Sequence, residues 1–299
     1  MARLTAKDFP PELLELYDFY AHGRITKREF LDRAAKHAVG GMTALALLNI
    51  LGPDYALARQ VDFTDPGILA EYVTYPSPEG HGTVRAYLVR PARDGVAIET
   101  PAGGVVVVHE NRGLNPYIED VARRVAKAGY VALAPDGLTS KGGYPGNDEK
   151  GRELQREVDP AKLMNDFFAA IAFLLDSPMT NGKVGITGFC YGGGVSNAAA
   201  AAFPELAAAV PFYGRQAPVE DVPRIKAPLL LHFAETDENV NKGWPAYEAA
   251  LKEHGKTYEA HVYPGTNHGF HNDSTPRYDE AAATLAWDRT LDWFGRYLG

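Results

Sequence analysis

Strand-like and helix-like segments alternate along the chain from Glu71 to the carboxyl terminus. The runs GGVVVVHE (103–110), YVALAPD (130–136) and PLLLHFAETD (228–237) are short and largely apolar, as in strands that are buried on both faces. Segments with apolar residues at helical spacing separate them. Because this alternation is typical of a mostly parallel central sheet with helices on both faces, we predict an α/β fold.

The first two strands of this region have a different pattern. EYVTYP (71–76) and TVRAYLVRP (83–91) alternate apolar and polar residues, and Pro78, Glu79 and Gly80 lie between them, which predicts a β-hairpin and a mixed sheet. The Gly-rich segment 137–151 is predicted to be a long loop of the kind that carries function. The further strands predicted are 183–190, 206–214 and 258–265, and the helices are 116–129, 161–175, 191–203, 246–254 and 279–298.

Composition excludes several classes of protein. The chain has 299 residues and a formal net charge of −8, without a basic stripe, so we expect no nucleic-acid partner. A single cysteine excludes an intramolecular disulfide and a Cys-based zinc site. No apolar run reaches the roughly 18 residues of a membrane span. We expect a small-molecule partner and no metal or other cofactor.

Residues 1–58 have two interpretations, and we treat 59–299 as the catalytic domain. Lys27-Arg28-Glu29-Phe30-Leu31, the apolar run 38–51 and Ala56-Leu57-Ala58 resemble a twin-arginine export signal. However, Thr26 and Glu29 form a capping-box pattern and 10–20 has helical spacing, which favours a permanent helical extension. The first interpretation implies export to the periplasm, and the second is compatible with the cytoplasm. A homodimer is compatible with either.

The only cysteine lies in a sharply turning segment. In KVGITGFCYGGG (183–194), Cys190 follows a predicted strand and has glycines at 188 and 192 to 194. The pattern G-x-C-x-G is that of a nucleophile elbow with sulfur in place of the commoner serine. A buried cysteine is otherwise a small apolar residue. The elbow pattern predicts that this thiol is a nucleophile.

Two further polar residues follow strands in the order nucleophile, acid, histidine. Asp237 follows PLLLHFAET, and His268 follows the strand that ends in VYPG. An imidazole can take the proton of a thiol, and a carboxylate on its other nitrogen fixes its tautomer. The backbone N–H groups of Tyr191 and Asn111 are our candidates for an oxyanion hole. Because position 113 is Gly, His109 and Glu110 do not extend to a zinc-binding H-E-x-x-H motif.

Four separated motifs, GFCYGG, the strand-end Asp237, YPGTNHGF and VVVVHENRG, together resemble the dienelactone hydrolase family over about residues 70–298. The resemblance implies an α/β-hydrolase fold, a Cys-His-Asp triad and carboxymethylenebutenolidase-like activity on esters or lactones. It also implies that Glu110 contacts the resting thiol, although pairing with Arg112 or Arg123 is the alternative. The arginines with which the family's best-known members hold a substrate carboxylate are not matched, which suggests another ester or lactone. Candidate substrate-binding residues are Arg112, Lys141, Tyr144, Tyr213 and His271.

The residues therefore predict a hydrolase that forms a thioester on Cys190. Two alternatives use the same chain differently. An acyltransferase would employ the same triad and pass the acyl group to an acceptor other than water. A non-catalytic binding module would keep the hydrolase scaffold without using the thiol.

Overall fold

The core of the molecule is one mixed sheet of nine strands. The computed structural model describes residues 4–38 and 42–299. The first two strands, β1 (Ile68–Ser77) and β2 (Gly82–Arg93), form the predicted antiparallel hairpin, and β2 also pairs antiparallel with β5 (Val131–Pro135). The spatial order is β1-β2-β5-β4-β6-β7-β8-β9, and the pairs from β5 to β9 are parallel. The remaining strands are β3 (Val96–Ala97), β4 (Ala102–Val108), β6 (Thr180–Phe189), β7 (Ala208–Phe212), β8 (Leu229–Ala234) and β9 (Tyr258–Tyr263).

The helices agree closely with the predicted segments, with one main exception. Helix α5 (Asp148–Arg156) begins inside the predicted loop 137–151, where Asn147 caps it by accepting a hydrogen bond from the Lys150 amide. The remaining helices are α1 (Pro11–Ala21), α2 (Lys27–Ala34), α3 (Ala44–Leu51), α4 (Pro116–Lys127), α6 (Pro160–Leu175), α7 (Tyr191–Ala202), α8 (Glu238–Asn241), α9 (Trp244–Glu253) and α10 (Glu280–Tyr297).

Helices cover both faces of the sheet, as the alternating sequence predicts. Side chains of α4 and α10, such as Val121 and Phe294, share one apolar cluster with one face. Side chains of α6, α7 and α9, such as Phe167, Val195 and Leu251, share a second cluster with the other face. The parallel strands are therefore buried on both sides, which explains their continuous apolar runs.

The N-terminal helices form a third apolar cluster of their own. Leu13, Tyr17, Phe30 and Leu51, from α1, α2 and α3, are buried in it. The predicted capping box at the start of α2 is present, because the Thr26 side chain accepts from the Glu29 amide and the Glu29 carboxylate accepts from the Thr26 amide. Residues 39–41 of the apolar run in the signal-like pattern lie outside the described residues.

This N-terminal unit contacts the catalytic domain through polar and cation–π interactions. The Asn111 side-chain amide donates to the Ala21 carbonyl at 2.9 Å, and Lys27 pairs with Glu149 at 2.7 Å. The Arg277 guanidinium lies 5.1 Å from the Tyr17 ring centroid. The end of α1 is thereby held against the loop that follows β4. Across 4–38 and 42–299, no helix has both the length and the apolar character that crossing a bilayer requires.

Candidate active site

Cys190 lies at a strained turn between β6 and α7. Its backbone has φ 58° and ψ −111°, a combination that L-residues rarely adopt and that costs about 1–3 kcal/mol. Hydrogen bonds hold this conformation, since the Cys190 amide donates to the Phe212 carbonyl at 3.0 Å and the Gly194 amide donates to the Cys190 carbonyl at 3.2 Å. The turn lifts the sulfur above the carboxyl edge of the sheet. The geometry of the nucleophile elbow is therefore present.

The glycines around Cys190 are required by close backbone contacts. A Cβ atom on Gly188 would lie 2.2 Å from the Gly192 carbonyl oxygen. A Cβ atom on Gly192 would lie 2.3 Å from the carbonyl oxygen of Val108, at the end of β4. On Gly193, it would lie 2.5 Å from the Phe212 carbonyl oxygen. These glycines thus let α7 start directly against the ends of β4 and β7.

Asp237 and His268 meet at the same edge of the sheet. Asp237 follows β8, and its Oδ2 accepts a hydrogen bond from His268 Nδ1 at 2.5 Å. Its other oxygen accepts from the Val240 amide and caps α8. The His268 Nε2 atom is buried and has no hydrogen-bond partner among the described residues. The Asp–His pair predicted from the sequence is present, and a ring nitrogen of His268 lies within 4.8 Å of the Cys190 sulfur.

A second histidine, which the sequence did not predict here, contacts the sulfur directly. His22, just after α1, has its Nε2 atom 3.3 Å from Cys190 Sγ. Its Nδ1 atom lies 2.9 Å from the Asp18 carbonyl oxygen and 3.2 Å from Asp18 Oδ1. The two imidazole rings are edge-to-face, with centroids 4.6 Å apart. One ligand atom from each of His22, Cys190 and His268 lies within 4.8 Å of the other two, so the three side chains form one compact cluster.

Charges around the thiol favour its ionised form. Burial alone raises the pKa of the Cys190 thiol, but the nearby imidazoles of His22 and His268 outweigh burial and lower that pKa to about 6. Conversely, burial lowers the pKa of His22, while Cys190 and Asp18 raise it, with a net value of about 9. The Cys190 and Asp237 charges likewise raise the pKa of His268 against the effect of burial. These charges therefore favour a thiolate beside protonated imidazole.

Glu110 is buried near the site but directs its carboxylate elsewhere. Its Oε2 atom accepts from the Asn272 side-chain amide at 3.0 Å and lies 3.5 Å from Arg112 Nε. Over the described part of the chain, the side chain that hydrogen-bonds to Cys190 Sγ is His22. The pairing with Arg112 is the alternative that the sequence left open. The expected contact between Glu110 and the resting thiol is not formed in this structure.

A pocket of about 480 Å³ opens above the sulfur. The two oxyanion candidates, Asn111 and Tyr191, line it together with Cys190. Tyr191 is the first residue of α7, where backbone N–H groups have no partner within the helix. Apolar side chains, Arg24 and Arg215 also line the pocket, and the sequence had pointed to neither arginine.

Of the five candidate substrate-binding residues, Tyr213 lines this pocket, and the other four have different surroundings. Arg112 pairs with Asp148 at 3.0 Å, and Tyr144 donates to the same carboxylate at 2.7 Å. Lys141 lies 3.4 Å from Glu157. His271 is buried under the elbow, where it stacks on Phe189 and bonds to the Tyr117 hydroxyl.

The strand order, the elbow and the strand-end acid and histidine define an α/β-hydrolase. The model of the dienelactone hydrolase family matches residues 84–298, and the chain belongs to that family. A second, YqhI-like model matches residues 1–36.

Individual relatives agree with this assignment. The Escherichia coli K12 protein "Putative hydrolase fragment YghX" is 76% identical over 119 residues, which are 40% of this chain and 98% of that one. The "Putative carboxymethylenebutenolidase" of Methylorubrum extorquens is 33% identical over 271 residues, with 85% and 91% covered. The crystal structure of a Klebsiella pneumoniae protein titled "Putative Dienelactone Hydrolase" has a TM-score of 0.66 and 28% identity, and covers 76% of this chain and 99% of that one.

Proposed function

We propose that the chain hydrolyses carboxylic esters or lactones through a thioester on Cys190. The sulfur attacks the carbonyl carbon, the alcohol leaves, and water then cleaves the thioester. His268, oriented by Asp237, transfers protons between the reacting groups. The observation that carries the proposal is a thiol at a strained elbow, within 4.8 Å of an imidazole nitrogen whose partner nitrogen is bonded to a buried carboxylate.

The amides of Asn111 and Tyr191 are suited to stabilise the oxyanion that develops during the attack. Tyr191 begins α7, so its N–H carries the positive end of the helix dipole towards the pocket. The neighbouring Asn111 is held in place, since its side chain donates to Ala21. Tyr191 lies at the start of a helix and Asn111 lies in a turn that its side-chain bond to Ala21 holds, which supports a preorganised site.

The lining of the pocket favours an ester or lactone that carries a negative charge. Arg24 and Arg215 line the pocket together with Met164, Val195 and Val240. The acidic lining residues Asp18 and Asp237 are already paired with His22 and His268. We therefore expect p-nitrophenyl hemisuccinate to be a better substrate than the neutral p-nitrophenyl butyrate of similar length. Replacing Arg215 by Gln is expected to reduce that preference, and an unchanged ratio of the two kcat/KM values would argue against charge recognition.

The proposal is tested by measuring turnover of p-nitrophenyl acetate in two variants of Cys190. Cys190→Ala is expected to abolish turnover while unfolding at the same temperature as the wild type to within a few degrees. Cys190→Ser is expected to retain little activity, because this site is built to stabilise a thiolate and an alcohol is a far weaker acid. Wild-type turnover by Cys190→Ala would refute the nucleophile.

A further inference from the structure

Two Asp–His pairs converge on one sulfur atom. Asp237 and His268 come from the loops after β8 and β9, whereas Asp18 and His22 come from the N-terminal unit. In each pair a carboxylate lies against Nδ1, which leaves Nε2 to face the sulfur. The dienelactone hydrolase model matches residues 84–298, so the second pair lies outside the part that the family shares.

The two histidines are not equivalent in their contacts. His22 Nε2 is 3.3 Å from Cys190 Sγ, within hydrogen-bond distance for sulfur. His268 Nε2 is buried and unpartnered among residues 4–38 and 42–299. A buried imidazole nitrogen without a partner is costly unless a substrate or water completes it. In the resting site His22 is hydrogen-bonded to the sulfur, and His268 lies close enough that it and the thiol shift one another's pKa.

Resting on the proposed function, we infer that His22 is a second catalytic histidine, which takes the Cys190 proton and leaves His268 to activate water. Asp18 is its positioning residue, because the contact with Nδ1 orients the ring. Each half-reaction then has its own base. The N-terminal unit is thus a part of the active site rather than an addition to it.

The proton transfers balance under this division. In acylation, His22 Nε2 already holds the proton of the Cys190 thiol, the thiolate forms the C–S bond, and the alcohol oxygen receives that proton as its C–O bond breaks. In deacylation, His268 Nε2 takes a proton from water while the hydroxyl attacks the thioester carbonyl. The C–S bond then breaks, the acid product leaves, and the sulfur takes the proton back from His268. The net reaction is ester plus water to acid plus alcohol.

The charges that face His22 come from several elements. From its own segment, Asp18 faces His22. The Asp18 carboxylate is itself paired with Arg277, whose guanidinium lies 3.5 Å from Oδ1. This arginine lies in the loop before α10, so the catalytic domain fixes the carboxylate of the N-terminal pair. The other charged or titratable groups that share the pocket with His22 are Arg24, Cys190, Tyr191, Tyr213, Arg215, Asp237 and His268.

The inference is tested by the pH dependence of iodoacetamide labelling in the full-length protein. Because Cys190 is the only cysteine, intact mass reports its alkylation alone. His22→Gln is expected to raise the midpoint of labelling by roughly 1–3 pH units, the effect of losing one close opposite charge. Asp18→Asn is expected to raise it less, because the imidazole remains. His37→Gln, a histidine change elsewhere in the N-terminal unit, is the control and is expected to leave the midpoint in place.

Two results would overturn the inference. One is a midpoint that is unchanged in both His22→Gln and Asp18→Asn. The other is an equal shift in His37→Gln, which would indicate a general disturbance of the N-terminal unit. Labelling requires no ester turnover, so these results are independent of whether Cys190→Ala loses esterase activity.

Pre-steady-state kinetics with p-nitrophenyl acetate separate the two half-reactions. His22→Gln is expected to slow the burst of nitrophenol, whereas His268→Gln is expected to slow the steady phase and to accumulate acetyl-enzyme. A burst that slows equally in both variants, with no acetyl-enzyme in either, would refute the division of roles. If Cys190→Ala retained turnover while His22→Gln still shifted the midpoint, the proposed function would fail and the contact between His22 and the thiol would stand.

Discussion

The glycine after the elbow offers a test of how the nucleophile is held in place. In Gly192→Ala, the new methyl group would lie 2.3 Å from the Val108 carbonyl oxygen and 2.8 Å from the His109 carbonyl oxygen. Both are backbone atoms at the end of a buried strand, so they do not move aside as a side-chain tip would. Overpacking of this kind costs typically 1–3 kcal/mol. The elbow is also displaced, so we expect a large loss of kcat.

The matched control is Gly194→Ala, two residues further along the same helix. There the nearest atoms to the added methyl group are 3.8 Å away, and φ is not positive. Replacing a helical glycine by alanine at an unstrained position stabilises a protein by roughly 0.4–1 kcal/mol. Urea denaturation is therefore expected to separate the two variants by roughly 1.4–4 kcal/mol. Equal unfolding free energies would refute the argument that close backbone contact requires Gly192.

Three further predictions concern the acid, the pH profile and the N-terminal cap. Asp237→Asn is expected to lower kcat by about 10³–10⁴-fold, because an amide at this position disfavours the His268 tautomer that serves as base. The cap of α8 is expected to remain, and an unchanged kcat would exclude an orienting role for Asp237. Because the thiolate reacts and the pKa of Cys190 is about 6, kcat/KM is expected to fall as pH decreases through about 6. It is expected to be level from there to about 9, the pKa of His22. A rise only near 8.5, as for an ordinary thiol, would contradict this. Thr26→Ala removes the cap of α2 and is expected to destabilise this helix by about 1 kcal/mol. The loss is measured as faster hydrogen exchange of the amides of residues 27–34. Thr43→Ala, which removes the cap of α3, is the control and is expected to leave exchange in 27–34 unchanged.

The sequence predicts the catalytic domain well because its signals are local. A buried parallel strand is a continuous apolar run, and β4, β5 and β8 were found from that pattern. Cys190 was found because a tight turn against neighbouring backbone requires small residues at fixed offsets. Asp237 and His268 were found because parallel strands bring their carboxyl ends to one edge. In each case a few neighbouring residues contain the information.

Helix α5 shows where glycine content misleads. The segment 137–151 is rich in glycine and polar residues, and its first part is indeed irregular. However, Asn147 followed by Asp148 and Glu149 is a strong helix start, with a cap and two acids in the first turn. The cap signal prevailed over composition, and the helix begins there.

The contact between His22 and Cys190 cannot be predicted locally, because the two residues are 168 positions apart in the sequence. Locally, Asp18 and His22 are an i, i+4 pair at a helix end, a common surface arrangement. The signal-like pattern that begins at Lys27 favours an export segment, which would have no catalytic role. Glu110 illustrates the converse: its position was found, but its partner depends on where the Asn272 and Arg112 side chains lie.

The most direct test of the central claim is to trap the intermediate. The full-length protein is mixed with p-nitrophenyl acetate, quenched in acid within the burst, and weighed intact before and after hydroxylamine, which cleaves thioesters. We predict one acetyl group, located on the peptide that contains Cys190, removed by hydroxylamine and absent from Cys190→Ala. Turnover without any acetylated cysteine, or an acetyl group of equal yield in Cys190→Ala, would contradict the account.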